Sequence, residues 1–140
     1  MIVADTNVIT YLLLQGDSTP EAERAFQRDP EWAAPLLWRS EFRNVLAHYI
    51  RLRRLSLSQA LQLAEQAELL MSGREFSVAS PEILTLASDS RCSAYDCEFV
   101  ALARQLGVSL VTSDQAILEA FAETAVSLEA FGARRPRGRT

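Results

Sequence analysis

The chain has 140 residues, 49% of them hydrophobic, with only five Gly and five Pro, so a single globular domain with its own core is expected and a disordered chain is not. All 14 basic residues are Arg, four of them in the last seven positions; residues 1–133 set the other ten against all 18 acids, a formal −8 within an overall −4. That balance argues against non-specific attraction to nucleic acid. Two cysteines, Cys92 and Cys97, exclude a disulfide framework, and the lack of a signal-like N-terminus or membrane-length apolar run makes a cytoplasmic location the expectation.

Ile2-Val3-Ala4 reads as a short buried strand, and Val8, Ile9, Leu12 and Leu13 recur after it at helical spacing. Pro20 to Arg28 follows as a short helix with proline near its first turn. Trp32-Ala33-Ala34-Pro35 reads as a brief strand stopped by the proline. Phe42, Val45, Leu46, Tyr49 and Ile50 mark one face of a helix to about Arg54. Arg39 and Arg43 flank Glu41, and the run Arg51, Arg53, Arg54 reads as a helix end complementing the macrodipole. Ser58 is the expected N-cap of a helix carrying Leu61, Leu63, Ala64, Leu69 and Leu70, stopped at Gly73.

Phe76-Ser77-Val78 is the next strand, and Ser80-Pro81-Glu82 a capped helix entry leading to Ile83, Leu84, Leu86 and Ala87. Ser93 opens a helix through Phe99, Val100, Leu102, Ala103 and Leu106, closed by Gly107. Val108 to Thr112 is the strongest strand, Ser113-Asp114 starts a helix through Phe121, and Ala125-Val126-Ser127-Leu128 fits a last strand. Strands alternating with helices predict an α/β fold, a central, mostly parallel sheet with helices on both faces, over residues 1–132. Residues 133–140 read as a basic disordered tail.

Four acids stand near places where an apolar run gives way to a helix: Asp5, Glu41, Asp96 and Asp114. Each has a plain structural explanation. Asp5 and Asp114 fit N-caps, Ser93-Ala94-Tyr95-Asp96 resembles a capping box, and Glu41 fits a first-turn acid after Ser40. Jointly the explanation weakens. The strands ending at Asp5 and Asp114 are expected side by side, and the carboxyl ends of parallel strands form the crevice where ligands bind. Four anions within about 4 Å would repel by roughly 4 kcal/mol per pair at an effective dielectric near 20. Protonation or a bound cation relieves this, and Mg²⁺ suits an all-carboxylate site; Mn²⁺ also fits. No Ser-His-Asp or Cys-His arrangement competes, because the chain has a single His, His48; its simplest reading is a satisfied or solvent-facing side chain, and its place seven residues past Glu41 on the same helix leaves a supporting or RNA-contact role open.

The segments IVADTNVITYLL, SEFRNVL around Glu41, SAYDCEFVALARQLG around Asp96 and LVTSDQAIL around Asp114 resemble PIN-domain ribonucleases. Length and layout resemble in particular the VapC-type toxins of toxin–antitoxin pairs, up to Leu128. The resemblance implies a three-layer PIN-like fold and Mg²⁺-dependent hydrolysis of RNA. It implies that Asp5, Glu41, Asp96 and Asp114 are the catalytic, metal-binding acids, with Thr6, Asn7, Asn44, Thr112 and Ser113 as polar support. It further implies homodimers and an antitoxin whose C-terminal segment blocks the acidic cleft, often with a basic side chain. Trp38, Tyr49 and Leu52 are candidates for those surfaces, with buried core as the default. The competing readings are a non-catalytic module whose acids receive a partner's Arg or a structural cation, and a carboxylate–Mg²⁺ phosphatase. The latter usually wants Asp-x-Asp, where this chain has Asp5-Thr6-Asn7. Nothing in the sequence says which RNA is cut.

Overall fold

Ile2, Val3 and Ala4 are wholly buried and form β1 (Ile2–Ala4), the central strand of a five-stranded sheet in the computed structural model, which describes residues 1–133. The Arg-rich stretch 134–140, expected as a tail, lies outside the described residues, and Ala133 closes the last helix instead of opening that tail. After β1 come α1 (Thr6–Leu13), α2 (Thr19–Arg28), β2 (Trp32–Pro35), α3 (Leu37–Arg51) and α4 (Leu57–Met71). They are followed by β3 (Glu75–Phe76), α5 (Ser80–Ser88), α6 (Ala94–Leu106), β4 (Leu110–Thr112), α7 (Gln115–Ala120), β5 (Ala125–Ser127) and α8 (Leu128–Ala133).

The strand order is β3-β2-β1-β4-β5, and every pairing is parallel. β1, β2 and β4 are buried along their whole length, as continuous apolar strands covered by helices on both faces must be, while the edge strands β3 and β5 are only half-buried. From β1 the chain builds outward through β2 and β3, then returns to pair β4 with the free side of β1. That reversal between β1 and β4 is a topological switch point, where adjacent connections leave in opposite directions and open a crevice beyond the strand ends. Asp5 follows β1 and Asp114 follows β4 by two residues, so both stand at its mouth.

Helix ends explain several departures from the sequence-based boundaries. α3 stops at Arg51, short of Arg54, because Arg53 turns into the left-handed region at φ +58°. It also begins at Leu37, so Glu41 lies in its second turn and is not a first-turn acid. The N-cap of α4 is Ser56, not Ser58: Ser56 accepts from the Gln59 N–H while the Gln59 side chain accepts from the Ser56 N–H, a complete capping box. α4 buries Ala60, Ala67 and Met71, and leaves Leu61 and Leu69 exposed, since the small residues allow its close approach to β2. β3 is shifted to Glu75–Phe76, and α5 starts after Ala79 with no side-chain cap. Beyond β5 the Ser127 hydroxyl accepts the Ala130 N–H and starts α8, which the pattern did not foretell.

Other expectations agree with the fold. Ser93 caps α6, and Gly107 ends it at φ +68°. Trp38 is core; its indole N–H donates to Glu75, which also receives the Arg39 guanidinium in a two-bond fork, while Arg39 reaches Glu68 on α4. Arg39 is therefore bound away, and it is no part of a patch around Glu41. Cys92 and Cys97 are buried free thiols. Among the described residues no helix is long and apolar enough to cross a membrane.

Candidate active site

The four acids reach the crevice from four segments. Asp5 caps α1 from the end of β1, Glu41 projects from the second turn of α3, Asp96 from the first turn of α6, and Asp114 caps α7 beyond β4. All four line one cleft of about 420 Å³, together with Thr6, Asn7, Thr10, Tyr11, Asn44 and Val45. No Arg or His is among those ten residues. Thr10 and Tyr11 went unnoticed in the sequence, although they lie one turn along α1 from Thr6 and Asn7. Val45, expected on the core side of α3, shares the cleft wall with Glu41 because four residues return a helix to nearly the same face.

Asp5 is 8% exposed and held from three sides. Its Oδ1 accepts the Thr6 N–H at 2.8 Å; its Oδ2 accepts the Thr112 hydroxyl at 2.7 Å and the Asn7 amide at 3.5 Å. Thr112, wholly buried at the end of β4, also accepts the Asp114 N–H at 3.0 Å, so one hydroxyl joins the two strand ends. The Thr6 hydroxyl donates to Glu41 Oε1 at 2.7 Å and ties α1 to α3. Asp114 Oδ1 accepts the Ile117 N–H at 3.1 Å. Ser113 takes part through its backbone N–H, which donates to Asn7 Oδ1 at 3.4 Å, rather than through its side chain. Thr6, Asn7 and Asn44 face the cleft, Thr112 supports it from below, and His48 is exposed on α3 outside it.

The electrostatics are those of uncompensated negative charge. Burial pushes the Asp5 carboxyl from its ordinary 3.8 up to about 6, against the Thr112 and Thr6 bonds, with the charges of Glu41 and Asp96 adding to the rise. Glu41 is raised by burial and by the charges of Asp96 and Glu98, with the Thr6 bond opposing. Asp96 is raised by burial and by the charge of Asp114. Glu98, two residues past Asp96 on α6, thus acts on the site through its charge without lining it. Among the described residues, however, no three Asp, Glu, His or Cys side chains are gathered closely enough to hold a metal ion as they stand. The four acids share the lining of one cleft but do not form the close cluster considered from sequence. The donor set still fits a hard divalent cation: oxygen ligands only, excess negative charge, and no cationic side chain in the lining.

Thr112→Val tests the junction beneath the site. The substitution keeps shape but removes the donor to Asp5 and the acceptor of the Asp114 N–H. The buried Asp5 carboxylate and the half-buried Asp114 N–H each lose a partner, so chemical denaturation should show a loss of about 2 kcal/mol. An unchanged midpoint would mean that Thr112 does not couple the two strand ends.

Residues 2–125 match the sequence profile of the PIN domain, a span that holds all four acids. The chain belongs to the PIN-domain family. The same PIN fold is seen in PAE2754 from Pyrobaculum aerophilum, at a TM-score of 0.74 and 19% identity over 94% of this chain and 92% of that one. FitAcB from Neisseria gonorrhoeae is similar at a TM-score of 0.71 and 21% identity, covering 91% and 96%. A toxin–antitoxin complex from Klebsiella pneumoniae is similar at a TM-score of 0.68 and 17% identity, covering 91% and 98%. At those identities the likeness is one of fold. Among curated protein sequences no match is found.

Proposed function

We propose that this PIN domain is a Mg²⁺-dependent endoribonuclease that hydrolyses RNA phosphodiester bonds and serves as the toxin of a toxin–antitoxin pair. The observation that carries the reading is the convergence of Asp5, Glu41, Asp96 and Asp114, from four separate segments, on one cleft without a cationic side chain at the switch point of the sheet. These four are the residues that would hold Mg²⁺ or Mn²⁺. When bound, such an ion supplies activation of water and neutralisation of phosphate charge, so that no protein nucleophile is needed. The chain's own residues supply position: Thr112 and Thr6 fix the Asp5 carboxylate, Thr6 fixes Glu41, and Asn7, Asn44 and Tyr11 offer neutral polar groups to the phosphate and sugar.

The toxin role is supported by the shared fold with the Klebsiella toxin–antitoxin complex. The partners of this reading are an RNA substrate, a cognate antitoxin and a second copy of the chain. Purified protein is expected to cleave RNA in Mg²⁺ or Mn²⁺ and to stop in EDTA. Its expression is expected to arrest growth unless the antitoxin is co-expressed; harmless expression of protein that cuts RNA in vitro would remove the toxin role and leave the nuclease.

One observation favours a second reading. Because no three acids are gathered for an ion, the cleft also suits a partner's guanidinium, which spans separated carboxylates through its forked donors. In that reading the domain is a non-catalytic binding module, and metal-dependent cleavage by the pure protein decides against it.

A further inference from the structure

An acidic cleft repels the polyanion that the proposed function asks it to receive, so a positive surface must lie nearby. Four of the ten arginines among the described residues are engaged elsewhere. Arg39 is bound by Glu75 and Glu68, Arg74 by the carbonyls of Trp32 and Leu70, Arg104 by Thr124, and Arg28 by the carbonyl of Phe131. Arg24 and Arg91 are exposed, and Arg43 acts on Glu75 through its charge. Arg51, Arg53 and Arg54 stand together at the end of α3; all three are exposed, and none has an ion pair or side-chain hydrogen bond among the described residues.

Their place relative to the cleft is set by helix geometry. Glu41 and Asn44 line the cleft from α3, and at 100° per residue His48 and then Arg51 continue the same stripe. Ten residues at about 1.5 Å each put Arg51 roughly 15 Å along the helix from Glu41. That is the reach of a few nucleotides of extended strand. Arg53 and Arg54 follow in the turn that ends the helix.

The ordinary explanation, complementing the α3 macrodipole, covers only part of this. That effect fades beyond the last turn, and Arg51 alone lies within it. Arg53 occupies φ +58°, a left-handed conformation natural to glycine and unfavourable to a long side chain. A glycine there would end the helix at lower cost, so stopping α3 does not account for an arginine at that position.

We propose that Arg51, Arg53 and Arg54 form the phosphate-binding platform for the substrate RNA, holding the strand a few nucleotides from the bond in the acidic cleft, with Asn44 and His48 along its path. The proposal rests on reading the cleft as an RNA nuclease. The platform contacts backbone and not bases, so it supplies affinity and direction without sequence preference.

The test is binding of a labelled single-stranded RNA oligonucleotide to the full chain in EDTA, across a salt series. Each single-strand phosphate contact contributes about 0.7 to the slope of log K against log salt. The triple variant Arg51→Ala, Arg53→Gly, Arg54→Ala is expected to bind about tenfold or more weakly and to lower that slope by about 2. Arg24→Ala, at an exposed arginine elsewhere, is expected to change neither. Arg53→Gly alone separates function from folding: relief of the left-handed backbone should keep or raise the melting temperature, while RNA binding still falls. If the triple variant binds RNA with unchanged affinity and slope, the platform is overturned, and an acidic protein partner becomes the better occupant; cleavage by the wild type would still uphold the nuclease. If the wild type neither binds nor cuts RNA, the reading of the cleft fails and the platform falls with it.

Discussion

Asp5→Asn is expected to lower metal-dependent RNA cleavage by at least about 100-fold while leaving the fold intact, the scale of loss seen when a group that stabilises developing charge is removed. The side chain keeps its size, and asparagine is as good an N-cap as aspartate. Its Oδ1 can still accept the Thr6 N–H, and its amide can donate to the Thr112 oxygen in place of accepting from it. What disappears is the most buried negative charge in the cleft. Since burial disfavours that charge, the metal-free variant at neutral pH should melt no lower than the wild type. Inactivity with undiminished stability separates a role in chemistry from a role in folding. An Asp5→Asn protein that cuts RNA at the wild-type rate would sink the assignment of the site.

Much of this site was legible because three of its acids have local signals. Asp5 and Asp114 each follow an apolar strand and precede a helix, and Asp96 falls three residues after the cap Ser93; all three positions hold in the fold. Capping and cleft-lining coincide there, because helices that leave the carboxyl ends of parallel strands start at the crevice. Glu41 is different. Its place before an apolar-periodic stretch reads as a first-turn acid, yet it sits inside α3 in the second turn with no cap role. The bonds that organise the acids join residues far apart in the chain, Thr6 to Glu41 across 35 positions and Thr112 to Asp5 across 107, and no periodicity encodes them.

The misplaced elements have both local and long-range causes. The end of α3 depends on a left-handed arginine that no helix-stop residue announces, and the buried face of α4 depends on which side chains let it approach β2. Leu57, Leu61 and Leu69 satisfy an amphipathic pattern and are nevertheless exposed, because Ala60, Ala67 and Met71 won the inner face. α8 begins within the run read as the last strand, where the Ser127 cap redirects the chain. For α4 packing against β2 outweighs the local preference, whereas at the ends of α3 and β5 the deciding bonds are local ones, from the Arg53 N–H to the Ile50 carbonyl and from the Ala130 N–H to the Ser127 hydroxyl.

The charge imbalance of the cleft carries a second large expectation, for stability. Asp5, Glu41 and Asp96 all titrate higher in the fold than in the unfolded chain. A raised carboxylate means that the folded state binds more protons than the unfolded state, so stability falls as pH rises through the window between the two values. For Asp5 that window runs from 3.8 to about 6, and the rise corresponds to roughly 3 kcal/mol at most by pH 7. Glu75 acts oppositely: the Arg39 fork holds it below its ordinary value, so its contribution is present above 4.5 and lost as pH falls through the lowered value. On these shifts metal-free protein should be most stable at about pH 4, where the Asp5 window opens, and its melting temperature should decline by several degrees toward pH 7, at roughly 3 °C per kcal/mol for this size. A divalent ion held by the same carboxylates favours their charged forms and should reverse the decline. At 100 times its Kd, Mg²⁺ would add about 2.7 kcal/mol at neutral pH, and the gain should shrink as pH falls and protons compete for the acids. In Asp5→Asn both the pH-dependent decline and the Mg²⁺ gain should be blunted together, because one carboxylate underlies both. Thermal melts over pH 4.5 to 8, with and without millimolar Mg²⁺, read all of this; a flat metal-free profile would show that the cleft acids carry no strain, and an Mg²⁺ gain that does not depend on Asp5 would place the ion elsewhere.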